Sequence, residues 1–325
     1  MQGFRLYFLR FSCYNSGMEE NRTAEKKGLP KGPLSEAGIT YSLAILLFII
    51  VSFAFSAIAG ASVKGYQNTD WYRYLSYLLP QLCFAATVLI YFRRNREFSP
   101  VRKVYQGCKW HYYLLAIALA FGLFSLSELN GYFVRLLELL GYQRTESTLP
   151  TITGWYLVPA ILVIALLPAF FEETIFRGIL SGTMRKSGWG TLPVIFTTGA
   201  LFSLFHGNPE QTLYQFACGV CYSFVAMRSG SPFPTMLAHF LNNAVILVLT
   251  AFGMEPATLA AKLAFYIPAG VCLVGVIVYL AVFDKGNRQK GGVIEGKKFF
   301  FTASVGIIVA FVEWLAVLIQ GFIHG

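Results

Sequence analysis

Apolar residues in this chain gather in long runs, and polar residues fill the gaps between them. Nine such runs lie near residues 40–59, 75–92, 112–133, 156–176, 191–206, 212–227, 234–253, 263–283 and 299–321. Most approach the ~20 residues that a helix needs to cross a hydrocarbon layer of ~30 Å. Lipid cannot satisfy exposed backbone groups, and the runs are too long for barrel strands. The pattern therefore predicts an all-α, polytopic integral membrane bundle of about eight to nine transmembrane helices. Nothing outside the runs is long enough for a second folded unit, so 38–321 is expected to be a single membrane domain. Residues 1–37 read as a loose cytoplasmic tail. It lacks the apolar core and small-residue cleavage site of a secretory signal, and Met18 offers an alternative start.

Composition agrees: 56% of residues are hydrophobic and only 13% are charged, about half the charge content of a soluble domain. The net charge of +10 raises the question of a nucleic-acid partner, but its distribution answers it. With alternate loops assigned to opposite sides, 20 of the 26 Lys and Arg fall on one side, five on the other, and Arg177 within a run. That is the positive-inside bias, which places the N-terminus in the cytoplasm and the C-terminus outside. The expected setting is multi-pass in the cell membrane, or in an endomembrane if the source is eukaryotic. The basic loops then contact the lipid bilayer, and no nucleic acid is expected. Of the six cysteines, Cys218 and Cys221 form a C-x-x-C inside a run, with no second pair to complete a zinc site.

Ionisable residues inside membrane runs are expensive and point to function. Glu128 in "SLSELNGY" and Glu313 in "FVEWL" read more simply as structural. The stretch "AFFEETIFRGIL", 169–180, is different. On a helix, positions four apart share a face, while neighbours diverge by about 100°. Glu173 is placed to pair with Arg177, which leaves the carboxyl of Glu172 off that face and free. Phe202 and His206 are also four apart, as are His239 and Asn243. Together they supply a carboxylate base, imidazoles and an amide donor, the parts of a water-activating hydrolytic site.

In order and spacing, Glu172-Glu173-Thr-Ile-Phe-Arg177, Phe202-Ser-Leu-Phe-His206 and His239-Phe-Leu-Asn-Asn243 resemble the CPBP family of intramembrane proteases. That family includes the type II CAAX prenyl endopeptidases and bacteriocin-processing or immunity-associated membrane proteins. "RGIL", "HGNPEQ" and "GSPFPTMLAH" extend the likeness, which covers about 155–250. The resemblance implies an intramembrane endopeptidase acting on a peptide or membrane-protein substrate. Glu172 and His206 would activate water, His239 and Asn243 would hold the oxyanion, Arg177 would orient Glu173, and Phe202 would shape the pocket. The family has also been classed with metalloproteases, and Glu172, His206 and His239 form a zinc-capable set. The lack of H-E-x-x-H and the spread of these residues over three helices favour a reaction without a firm metal cofactor, with Zn2+ as the alternative. Two other functions compete: a non-catalytic immunity or regulatory protein of the same family, and a proton-coupled transporter. Internal inverted repeats, which would support a transporter, are not visible in the sequence. One tension remains. His206 ends an outward-running segment, whereas His239 lies only about 9 Å past the cytoplasmic start of its own. They meet only if helices tilt strongly or the fifth run re-enters.

Overall fold

The computed structural model describes residues 32–97, 101–144, 149–288 and 296–323; the expectations for residues 1–31 lie outside it. All nine runs are helical, and no strand occurs among the described residues. The helices are α1 (Pro33–Ser62), α2 (Asp70–Arg94), α3 (His111–Leu139), α4 (Gly154–Lys186), α5 (Thr191–Phe205), α6 (Thr212–Ser229), α7 (Phe233–Phe252), α8 (Leu259–Phe283) and α9 (Lys297–Ile323). Their starts follow local chemistry. Pro33 sits in the first turn of α1 and Pro234 in that of α7, where a missing N–H costs nothing. Thr258 caps α8 by accepting from the amide of Ala261 at 3.2 Å.

The expected polytopic helical membrane bundle is present. Seven helices are long and apolar enough to cross a membrane; α5 and α6 are the exceptions. α5 has 15 residues and so reaches only about 22 Å. Gly207, at φ 58, takes the left-handed conformation just after α5, and Pro209 opens the next turn. α5 and α6 thus form a short hairpin beside the seven longer helices.

The hairpin is pressed together at two glycines. A Cβ on Gly219 of α6 would lie 2.8 Å from the Cα of Gly199 on α5. Such close backbone approach between apolar helices depends on residues without side chains. It brings α5 and α6 onto α4, which is also packed by α1, α2 and α7. Ile175, Phe176, Ile179 and Leu180 of α4 have no exposed surface at all. α4 is not uniformly α-helical: π-helical stretches at Ile161–Leu166 and Thr174–Ser181 flank the α-helical Leu167–Glu173. Such segments are rare and concentrate at functional sites.

Gly219→Val should separate α5 from α6 and lower stability by at least the ~1–3 kcal/mol typical of overpacking. Gly275→Ala adds a methyl with nothing within 4 Å and should be neutral or slightly stabilising. Thermal unfolding of the purified protein in detergent, read by size-exclusion chromatography, separates the two. An unchanged melting temperature for Gly219→Val would contradict the close approach.

Candidate active site

The motif residues of α4, α5 and α7 converge in the interior. Arg177 donates from Nη1 to Glu173 Oε1 at 2.8 Å, and both side chains are fully buried. The predicted i,i+4 pairing is present in the structure. Nη2 of Arg177 donates to the carbonyl of Gly219 at 3.1 Å. The guanidinium lies 4.4 Å from the ring centroid of Phe202, 5.2 Å from that of Tyr222 and 5.7 Å from that of Phe176. Aromatic faces stabilise a desolvated cation, and they supply what water would otherwise give.

Glu173 Oε1 also accepts from Nδ1 of His239 at 3.0 Å. The His239 ring stacks on Tyr222 at 5.5 Å between centroids and 20° between planes. Its orientation is therefore fixed from two sides. Because a carboxylate only accepts, Nδ1 carries the hydrogen, and Nε2 is the atom left for chemistry.

The same argument sets the tautomer of His206. Its Nδ1 lies 2.7 Å from the carbonyl of Phe202, which can only accept, so Nε2 of the neutral ring is bare. That nitrogen lies 3.9 Å from Oε2 of Glu172. Oε2 is buried and has no hydrogen-bond partner among the described residues. Gln81 of α2 engages the same carboxyl. Glu172 thus has no ion-pair partner, whereas Glu173 is paired through Oε1, its Oε2 having no partner among the described residues; this is the division that helical spacing predicts.

Glu172, His206, His239 and Asn243 all line one cavity of about 400 Å³. Glu173, Arg177 and Phe202 stand behind its wall. Phe202 is 1% exposed; its ring sits 4.6 Å from that of His206 and 6.1 Å from that of His239. It joins the two imidazoles and the arginine from the rear. Asn243 is tied back to α4: its Nδ2 donates to the carbonyl of Ile164 at 3.3 Å. One amide hydrogen remains for a ligand. The depth tension between His206 and His239 does not arise, because α5 ends inside the bundle at the level of Glu172.

Several cavity residues were missed by sequence reasoning. Tyr222 lines the cavity with a buried hydroxyl that has no partner among the described residues. Tyr214 and Asn242 exchange two hydrogen bonds, at 3.1 and 3.0 Å. No spacing rule marks an isolated Tyr or Gln, although Asn242 stands next to the motif residue Asn243. The two glutamates set aside as structural lie elsewhere. Glu128 pairs with Lys262 at 3.1 Å, and Glu313 packs against Gly207. Cys218 and Cys221 are free thiols.

Among the described residues, no three His, Cys, Asp or Glu side chains converge as a metal-holding group. No step below passes through a metal.

The family model described as type II CAAX prenyl endopeptidase Rce1-like matches residues 154–245. That stretch, α4 to the middle of α7, is an Rce1-like domain of the CPBP family of intramembrane proteases. No curated protein and no solved structure matches the chain.

Glu173→Gln should sharply reduce the folded protein recovered from membranes. It leaves Arg177 buried without its counter-ion, a loss of about 3–5 kcal/mol. Glu172→Gln should accumulate like the parent, because a neutral isostere at an unpaired carboxyl disturbs no ion pair. Quantitative immunoblotting of membranes, followed by thermal unfolding, compares the two. Equal abundance would contradict the division of labour between the glutamates.

Proposed function

We propose that the protein is an intramembrane endopeptidase in which Glu172 and His206 activate water directly. The observation that carries this reading is the unpartnered Glu172 Oε2 facing the bare Nε2 of His206 across 3.9 Å in one cavity. A water at about 2.8 Å from each atom would subtend about 90° between them, close to its own bond angle. It would donate one hydrogen to each acceptor and keep a lone pair for attack.

The reaction balances without an added reagent. The water oxygen bonds to the peptide carbonyl carbon while its proton passes to the Glu172 carboxylate. The carbonyl oxygen becomes an oxyanion held by the remaining Nδ2 hydrogen of Asn243 and by the Tyr222 hydroxyl. His239 joins them only when its Nε2 also bears a proton, because Nδ1–H is committed to Glu173. Collapse of the intermediate breaks the C–N bond, and protonated Glu172 delivers its proton to the leaving amine. The substrate is a peptide bond of a membrane-associated protein or peptide, of the CAAX type or a peptide precursor.

Peptide profiling of membranes from cells carrying the parent, Glu172→Gln or no gene tests the activity. Glu172→Gln should match the deletion at normal protein abundance. With a substrate in hand, Asn243→Ala should lower kcat by about 10²–10³, as loss of one oxyanion donor does. Chelation should leave both metal content and activity unchanged. Full activity in Glu172→Gln overturns the reading. Stoichiometric zinc that leaves in step with activity replaces it with a metalloprotease.

A further inference from the structure

The guanidinium of Arg177 leaves one donor unused. Nη1 donates to Glu173 and Nη2 to the carbonyl of Gly219, but the buried Nε has no partner among the described residues. Four residues further along the π-helical stretch of α4, the hydroxyl of Ser181 is in the same state, in a residue 1% exposed. A buried donor without an acceptor is costly. Both residues line one small pocket that shares no lining residue with the catalytic cavity. It reaches Arg177 from the side away from Glu172.

Close packing at glycines assembles the rest of this pocket. A Cβ on Gly178 would lie 2.7 Å from Cγ1 of Val104, so the short helix Val101–Val104 lies directly on α4. This carries Lys103 to the end of α4, where Lys186 Nζ donates to its carbonyl at 3.5 Å. Gly230 ends α6 in the left-handed conformation, at φ 73, and a Cβ there would lie 3.4 Å from Nη1 of Arg185. Lys103, Arg185 and Lys186 therefore stand round one opening, and both lysines are exposed.

The lining sorts possible ligands by charge and shape. Besides Arg177 it carries these three cations, and no Asp or Glu is among the described residues that line it. A cation is repelled there, and an apolar group leaves Arg177 Nε and the Ser181 hydroxyl without an acceptor. A tetrahedral oxyanion meets both demands. Its oxygens accept from several donors at once, and its charge offsets that of the lysines and the arginine. Phosphate has that shape, either free or on a lipid headgroup.

We propose that this pocket is a binding site for a phosphate group, held by Lys103, Arg185 and Lys186 at its mouth and by Arg177 Nε and Ser181 Oγ at its floor. The site does not depend on the catalytic reading of the cavity. A phosphate there braces Arg177 from behind, so stability reports its binding. The full-length protein in dodecylmaltoside is melted in sodium phosphate and in sodium chloride of equal ionic strength. It is also melted with dioleoylphosphatidylglycerol and with the phosphate-free digalactosyldiacylglycerol. The parent should melt at least ~2 °C higher with a phosphate probe than with its control. Lys103→Gln combined with Lys186→Gln should abolish that rise. Ser181→Ala removes a hydroxyl without a partner and should fold like the parent. It should need about tenfold more probe for half the rise, as loss of one hydrogen bond to a charged group does. A rise with sodium phosphate shows that the free anion suffices; a rise confined to phosphatidylglycerol assigns the site to a lipid headgroup. No rise with either probe, or a rise that either variant keeps unchanged, overturns the proposal.

Discussion

The ion pair between Glu173 and Arg177 is the constraint on which the site depends. Both side chains are fully buried, where an unpaired charge would shift the protein toward unfolding by several kcal/mol. The pair is tolerated because several neighbours support it. Gly219 offers a carbonyl, Phe202, Phe176 and Tyr222 offer ring faces, and His239 takes up the same carboxylate oxygen. Those partners come from α4, α5, α6 and α7. One buried charge pair therefore fixes the relative positions of the four helices that span the Rce1-like domain.

The rest of the site follows from this anchor. Arg177 is neutralised by Glu173, so the adjacent Glu172 is left outside the ion pair. Phe202 stacks beneath the arginine, and its backbone carbonyl sets the tautomer of His206. The glycines at 199 and 219 let α5 lie against α6 closely enough for this. The shortness of α5 places His206 inside the bundle rather than at its surface. Packing features that look unfavourable for a transmembrane segment, such as a truncated helix and a π-helical stretch, are the ones that assemble the site.

Much of this was legible in the sequence, for identifiable reasons. Lipid imposes a strong hydropathy signal, so all nine helices were found. Helical geometry fixes i,i+4 neighbours, so the Glu173–Arg177 pair was readable from spacing alone. What escaped notice depends on three dimensions. Hydropathy marks both α5 and α6 as apolar runs but not that α5 stops after 15 residues and packs closely on α6. The π-helical segments of α4 carry no sequence mark. Gln81 and Tyr222 reach the cavity from α2 and α6 as single residues without a motif. Asn243 was recognised as a donor, but its tether to Ile164 depends on how α7 meets α4.

The account stands or falls on whether the buried pair organises the site rather than merely surviving in it. The most direct measurement combines Glu173→Gln with Arg177→Met in one chain and follows folded protein and peptide cleavage together. Removing both charges eliminates the desolvation penalty along with the attraction, so a buried pair replaced by neutral residues is often tolerated. The account predicts that the double variant recovers most of the abundance lost in Glu173→Gln alone, yet cleaves far more slowly than the parent, because His239 has lost its ionic partner. A double variant that folds and cleaves like the parent would contradict the account, as would one no more abundant than the single variant.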